Sequence, residues 1–296
     1  MGFQLWTSPI TGYRRKGTRI SELRALVGSG ITAMAVLEPL QSCINTISAS
    51  EVAPALRRRE FDVAGIKESG TGPVKGFVRT SELTSGAVQD HFHPFEAQHL
   101  VSEAIPLHEL LSALKTKTHV FVLIGSEVRG IVTRTDLNKP PVRIYLFGII
   151  SLFEMHLTFW LRTVLKTRTL DVLINENRLV SAKELQELRG QHNEHVDLVE
   201  CLQLCDKRDV IVGDDALREK LGMGSKDRAV RKIKELEELR NRVAHSQQDL
   251  SQGIRWEGII ELVEWIENVV GISDALVEQE AKNQSGTIVE GLLASI

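Results

Sequence analysis

Val120-Phe-Val-Leu-Ile124, Gly125-Ser126, Val128-Arg-Gly-Ile-Val132 and Thr133-Arg-Thr-Asp-Leu137 follow one another without interruption. Two runs rich in β-branched and apolar residues flank a short turn headed by glycine, the pattern of a β-hairpin. Thr133 to Leu137 then reads as the start of a helix, and Leu107 to Lys115, just upstream, has helical period. The same order occurs earlier in the chain. Ser50 to Arg59 reads as a helix, Phe61-Asp-Val-Ala-Gly-Ile66 as a strand and Lys67 to Pro73 as a turn. Val74-Lys-Gly-Phe-Val78 is a second strand and Thr80-Ser-Glu-Leu83 a helix start. A unit repeated in this way implies a pseudo-symmetric pair, because one copy alone would leave its apolar face in water.

The character of the sequence changes at Asn138-Lys-Pro-Pro141, where the proline pair disfavours helix just before it. Beyond this point the spacing predicts helices over Tyr145–Lys166, Ala182–Arg189, Glu194–Asp206, Lys226–Ala244 and Trp256–Val270. Together these form an antiparallel bundle, and Ser181 with Glu184 has capping-box spacing. The expected architecture is α+β. An N-terminal segment (1–32) precedes a repeat pair (33–140), an all-α helical domain (141–275) and a less periodic tail (276–296).

The chain has 296 residues, enough for two cores, with 42% hydrophobic and 25% charged residues and a net charge of -3. That charge gives no global attraction to nucleic acid, so an RNA substrate needs a local basic patch. The three cysteines, Cys43, Cys201 and Cys205, suit a reducing compartment, and no thiol or imidazole cluster has zinc-ligand spacing, so no metal is expected. Met1 to Lys16 has no apolar core of a signal peptide. Val142 to Leu161 is strongly apolar but carries Arg143, Glu154 and His156, which favours a buried helix over a membrane span. A cytoplasmic protein is the expectation.

The ending Gly130-Ile-Val-Thr133-Arg-Thr-Asp136, with the preceding helix and hairpin, resembles the CBS repeat of cystathionine β-synthase and many nucleotide sensors. The resemblance covers Ala33 to Leu137. It implies a tandem module whose clefts take an adenine nucleotide such as AMP, ADP, ATP or a cyclic nucleotide. Asp136 would accept hydrogen bonds from the ribose hydroxyls, and Thr133 with nearby amides would hold phosphate. Arg134 would add charge, and Val120 and Val122 would flank the adenine. The alternative is that Thr133 to Asp136 simply caps a helix. The first copy departs from the pattern, with Arg79 in place of threonine and Glu82 in place of aspartate.

Arg240-Asn241-Arg242-Val243-Ala244-His245 closes the charged amphipathic helix Lys226–Ala244. It resembles the R-x-x-x-x-H motif of HEPN domains, helical bundles that dimerise so that two motifs face one cleft. Catalytic members cut RNA without metal. In that chemistry an imidazole moves the 2′-hydroxyl proton, the role of His245. A planar guanidinium carries the charge of the pentavalent phosphate, the role of Arg240. Asn241 would orient the histidine or bond the phosphate, and Glu154, interrupting an apolar helix, would pair with Arg240. Some members carry a tyrosine two residues after the histidine; here that position is Gln247. The alternatives are that His245 caps its helix and that Arg240 and Arg242 pair with Glu237 and Glu238 on a solvated face.

These resemblances imply a metal-independent endoribonuclease acting as a homodimer on RNA and controlled by a nucleotide, with no membrane. The alternative is a non-catalytic, nucleotide-responsive dimeric adaptor.

Overall fold

The computed structural model describes residues 17–194, 196–245 and 249–293, with backbone alone for 28, 29 and 280–293. The chain divides into two compact units, Val27–Arg143 and the flanking chain before and after it.

In the first unit a helix α1 (Ile20–Gly30), begun in the flanking chain, leads into β1 (Glu38–Pro39) and β2 (Ser42–Ile44). Then come α2 (Ala49–Arg58), β3 (Val63–Lys67), β4 (Gly76–Arg79), β5 (His93–Pro94) and β6 (Leu100–Ser102). The helix α3 (Leu107–Thr116), β7 (His119–Ile124) and β8 (Glu127–Thr133) complete the unit. Two four-stranded sheets result, ordered β2-β3-β4-β5 and β6-β7-β8-β1. Each has one parallel pair, one hairpin and one antiparallel edge strand. Within the hairpins Ile66 faces Gly76 and Val122 faces Gly130, so the two copies superimpose in register. The edges correspond too: Pro94 faces Gly76 and Pro39 faces Gly130. Proline lacks an amide donor and is tolerated on an edge strand. A Cβ on Gly76 would collide with the Phe92 ring and the His93 carbonyl, and one on Gly130 would press on Leu37 and Val122 at 3.2 Å. Glycine is what lets the edge strand approach in both copies.

Each copy buries a helix against its sheet. Ala49, Ala53 and Leu56 of α2 pack on Ala64, Ile66 and Val78, and Leu107, Leu110, Leu111 and Leu114 of α3 are buried likewise. A second core joins residues of both sheets, with Phe77 of β4 against Phe121 of β7. The β7–β8 turn has Gly125 at φ 63 followed by Ser126 at negative φ, the requirement of a type II′ hairpin. Two expectations change here. Thr80 to Leu83 forms a turn, the Thr80 hydroxyl donating to the Phe61 carbonyl. Four strands of two or three residues (β1, β2, β5, β6) join the hairpins that the sequence displays.

The second unit is helical. It contains most of α4 (Pro140–Val164), then α5 (Leu170–Leu173), α6 (Glu176–Gln191), α7 (Leu204–Gly213) and α8 (Asp215–Lys220). The long helices α9 (Lys226–Ala244) and α10 (Trp256–Leu293) follow. The proline pair opens α4, because a first-turn residue needs no amide donor. By length and composition α4 is long and apolar enough to cross a bilayer, and 56% of its most apolar window is buried inside the protein. Phe153 of α4 packs on Trp265 of α10 with centroids 5.7 Å apart. The Trp160 indole donates to the Ser273 hydroxyl at 2.6 Å, and that hydroxyl meets His156 Nδ1, also at 2.6 Å. His156 is 2% exposed and belongs to this core.

Several helix boundaries are corrected. Ser181 lies inside α6, donating to the Asn177 carbonyl, and the cap is Asn175, which accepts from the Asn177 amide at 3.0 Å. Among the described residues of Glu194–Asp206 no single helix runs through, and only Leu204 to Asp206 are α-helical, as the start of α7. A 3-10 turn at Leu198–Cys201 precedes α7, whose start is fixed where Asp206 accepts from the Gln203 amide at 3.0 Å. The helix α10 runs past Val270 and residue 276 to Leu293.

Candidate functional site

The helix α9 is amphipathic. Ala229, Lys232, Ile233, Leu236, Leu239 and Arg242 are buried along one stripe, and Ser225 caps it by accepting from the Arg228 amide. Glu237, Arg240 and Asn241 fall on another side. There Arg240 Nη1 donates to Glu154 Oε1 of α4 at 3.1 Å, with the two side chains 40% and 28% exposed. The carboxylate and guanidinium singled out in the sequence therefore meet, and Arg240 pairs with neither Glu237 nor Glu238. Arg242 differs: it is buried, donating to the carbonyls of Glu238 and Gln252 and so tying α9 to the loop before α10.

Glu154, Arg240 and Asn241 line a pocket of about 490 Å³ with Arg178, Leu202, Gln203, Leu204, Cys205, Arg208 and Glu237. Sequence reading missed these last contributors. Apart from Glu237 of α9, they sit on α6, α7 and the turn between them, and no motif marks them. Arg208 is braced by Asp209 at 2.8 Å and Glu237 at 3.3 Å. Burial pushes the Glu237 carboxyl up, against the opposing charges of Arg208 and Arg240. Lys207 is 8% exposed and donates to the Thr158 hydroxyl at 3.0 Å, and burial pushes its ammonium down. His245 is the C-cap residue of α9, exposed, with its amide donating to the Asn241 carbonyl. It is not among the pocket-lining residues. The position of Gln247 lies outside the described residues.

In the first unit the predicted nucleotide residues are engaged within the chain. Asp136 Oδ2 accepts from the Thr133 amide at 2.7 Å and the Thr133 hydroxyl at 2.9 Å. Its other oxygen faces Lys139 Nζ at 2.8 Å, and the residue is 7% exposed. The capping alternative describes this arrangement, although the cap serves a 3-10 turn, Arg134–Asn138. Arg134 donates to the Leu114 and Lys115 carbonyls at the end of α3. Val120 and Val122 are both 0% exposed, since β7 is covered on both faces. Lys139 also bonds Glu38 Oε1 and the Val36 carbonyl, holding the chain next to β1.

The first copy replaces that cap with a different cluster. Glu82 accepts from Arg79 at 3.0 Å and meets His93 Nε2 at 2.5 Å. Together the His93 and Arg79 hydrogen bonds hold its carboxyl below the usual range. The His93 ring stacks on Phe77 with centroids 5.2 Å apart, and His99 and His119 meet the same ring edgewise at 5.6 and 6.3 Å. Burial pushes the His119 imidazole down, with His99 and Arg79 adding to the effect. Among the described residues no group of three or more His, Cys, Asp or Glu side chains is placed to hold a metal ion.

No protein-family model matches the sequence, and no curated protein matches it either. Solved structures similar to it include the CBS domain of a bacterial CNNM/CorC family Mg2+ transporter in complex with ATP. That match has 16% identity and a TM-score of 0.33, covering 40% of this chain and 92% of that one. The CBS-pair protein CBSX2 from Arabidopsis thaliana matches at 16% identity and a TM-score of 0.33, covering 39% and 96%. CBSX2 in complex with AMP matches at 15% and 0.34, covering 39% and 98%.

Proposed function

We propose that the chain is a metal-independent endoribonuclease of the HEPN type, cytoplasmic and homodimeric. An adenine nucleotide held by its N-terminal tandem CBS pair controls it. The observation that carries the reading is the contact of Glu154 with Arg240 on the wall of a pocket that also holds Asn241. His245 takes the proton from a ribose 2′-hydroxyl. The oxygen attacks the adjacent phosphorus, the bond to the 5′-oxygen breaks, and that oxygen takes up the proton held on the His245 imidazolium, which returns to its neutral form. The products are a 2′,3′-cyclic phosphate and a 5′-hydroxyl. Arg240 stabilises the charge that gathers on the phosphate oxygens, Glu154 keeps the guanidinium in place, and Asn241 orients its neighbours. A second copy supplies the opposite wall. In the N-terminal unit, Thr133 and Asp136 exchange part of their internal hydrogen bonding for the ribose and phosphate. A nucleotide acts as a switch only through unequal affinity for two dimer arrangements.

The test is incubation of purified protein with total RNA in excess chelator. Cleavage lost in both Arg240→Ala and His245→Ala supports the enzyme. Cleavage that persists in either variant, or is absent from the native chain with and without nucleotides, refutes it. The position of His245 outside the pocket favours a second reading, a nucleotide-responsive adaptor whose helical unit only docks partners.

A further inference from the structure

Two guanidiniums on the pocket wall keep donors in reserve. Arg208 is not one of them, since its side chain is 11% exposed and committed to Asp209 and Glu237. Arg240, 40% exposed, spends one hydrogen bond on Glu154. Arg178 of α6 is 45% exposed. Among the described residues its one hydrogen bond goes from Nη1 to the neutral Gln203 side-chain oxygen at 2.6 Å. Its carboxylate neighbour, Asp206, stands 3.7 Å away and is occupied in starting α7. A guanidinium has five N–H donors, so most of those on Arg178 and Arg240 remain for an oxyanion. Leu202 and Leu204 give the pocket apolar wall, and Gln203 and Asn241 bring amides able to bond a base edge. Its volume of about 490 Å³ falls within the range of about 300–1,000 Å³ common for small-ligand sites.

We infer that this pocket seats one unstacked nucleotide of single-stranded RNA, with Arg178 as a second phosphate-holding residue beside Arg240. Gln203 and Asn241 face the edge of its base. The inference rests on the RNA-cleaving reading and extends it to how the strand is gripped.

The experiment uses the full chain and a fluorescein-labelled 2′-O-methyl oligoribonucleotide. This strand cannot be cut because it has no 2′-hydroxyl nucleophile. Anisotropy titrations over a salt series compare the native chain with Arg178→Ala, Arg178→Lys and Arg231→Ala. Arg231 is a 68% exposed control on α9. Arg178→Ala is expected to weaken binding about 5- to 10-fold and to lower the salt slope by about 0.7, the contribution of one phosphate contact on a single strand. Arg178→Lys restores the slope, and Arg231→Ala changes neither quantity. Equal binding and slope in Arg178→Ala, or an equal loss in Arg231→Ala, overturns the inference. Competition by free AMP as strong as that of the oligonucleotide overturns the RNA assignment in favour of a free nucleotide. Arg178-dependent binding without cleavage of a natural strand would sink the nuclease and keep the pocket. Cleavage unchanged in Arg178→Ala does the reverse.

Discussion

Removing Glu154 tests the architecture of the site through a double-mutant cycle with Arg240. The pair is joined by a single contact of 3.1 Å, and its side chains are 28% and 40% exposed. Solvent screens such a pair, so its coupling in unfolding experiments should be about 0.5–1 kcal/mol. Its effect on catalysis works differently, because Glu154 acts only by holding Arg240. A charge donor aimed at a developing oxyanion contributes roughly 10²–10³-fold to a rate. Arg240→Ala should therefore lower RNA cleavage by about that factor, and Glu154→Ala, which leaves the guanidinium present but loose, by about 10-fold. The double variant should be no worse than Arg240→Ala alone, since a holder has no function once its cargo is gone. Urea unfolding gives the stability arm, and cleavage of a labelled RNA gives the rate arm. If the double variant falls by the product of the two single losses, Glu154 has a role independent of Arg240 and the reasoning fails. A stability coupling above about 2 kcal/mol would refute it differently, by making the pair a structural brace.

Gly76→Ala should unfold the first unit at markedly lower urea, because its Cβ collides with Phe92 and the His93 backbone. Gly271→Ala in α10, where nothing lies within 4 Å of the added carbon, should raise stability by up to about 1 kcal/mol. Asp136→Asn should lower the melting temperature even without ligand, since it weakens the cap and the Lys139 contact. It should also abolish any rise produced by AMP or ATP, and a nucleotide-induced rise that survives the substitution would place the ligand elsewhere. Burial holds His119 below its ordinary value, so the unfolded chain takes up that proton first. The stability at stake is complete above about pH 6.5 and is lost as pH falls below it. Calorimetry from pH 8 to 5 should thus show a falling melting temperature, and His119→Phe should flatten the decline; an unchanged slope rejects the assignment.

The hairpins were legible because each strand is long enough to show a pattern, and because Gly76 and Gly130 mark matching positions. The edge strands were not, since two residues such as Glu38 and Pro39 carry no period. The CBS resemblance implied that Val120 and Val122 of β7 would flank an adenine. Yet Val120, Phe121 and Val122 are all buried, because a helix covers one face and the partner sheet the other. For α9 the sequence named both ends, its cap and stripe being strong local signals. The α6–α7 region was misjudged, as the decisive residues there are caps, Asn175 and the Gln203–Asp206 pair, set within a weakly periodic stretch. The Glu154–Arg240 contact was anticipated from one carboxylate in an apolar helix, which needs a cationic partner, together with the resemblance to HEPN domains, which implied which one. Nothing in the sequence announces Arg178, whose importance comes only from what folds around it.

The pairing of β1 with β8 has a consequence for synthesis on the ribosome. Glu38 and Pro39 are made early, yet their partners Ile131 and Gly130 emerge only when the unit is nearly finished. The earliest strand thus waits for the last, and a nascent chain stalled before Gly130 holds one closed sheet and one lacking its border. Expressing the second repeat on its own would leave its sheet without the β1 border that the first repeat's end of the chain supplies.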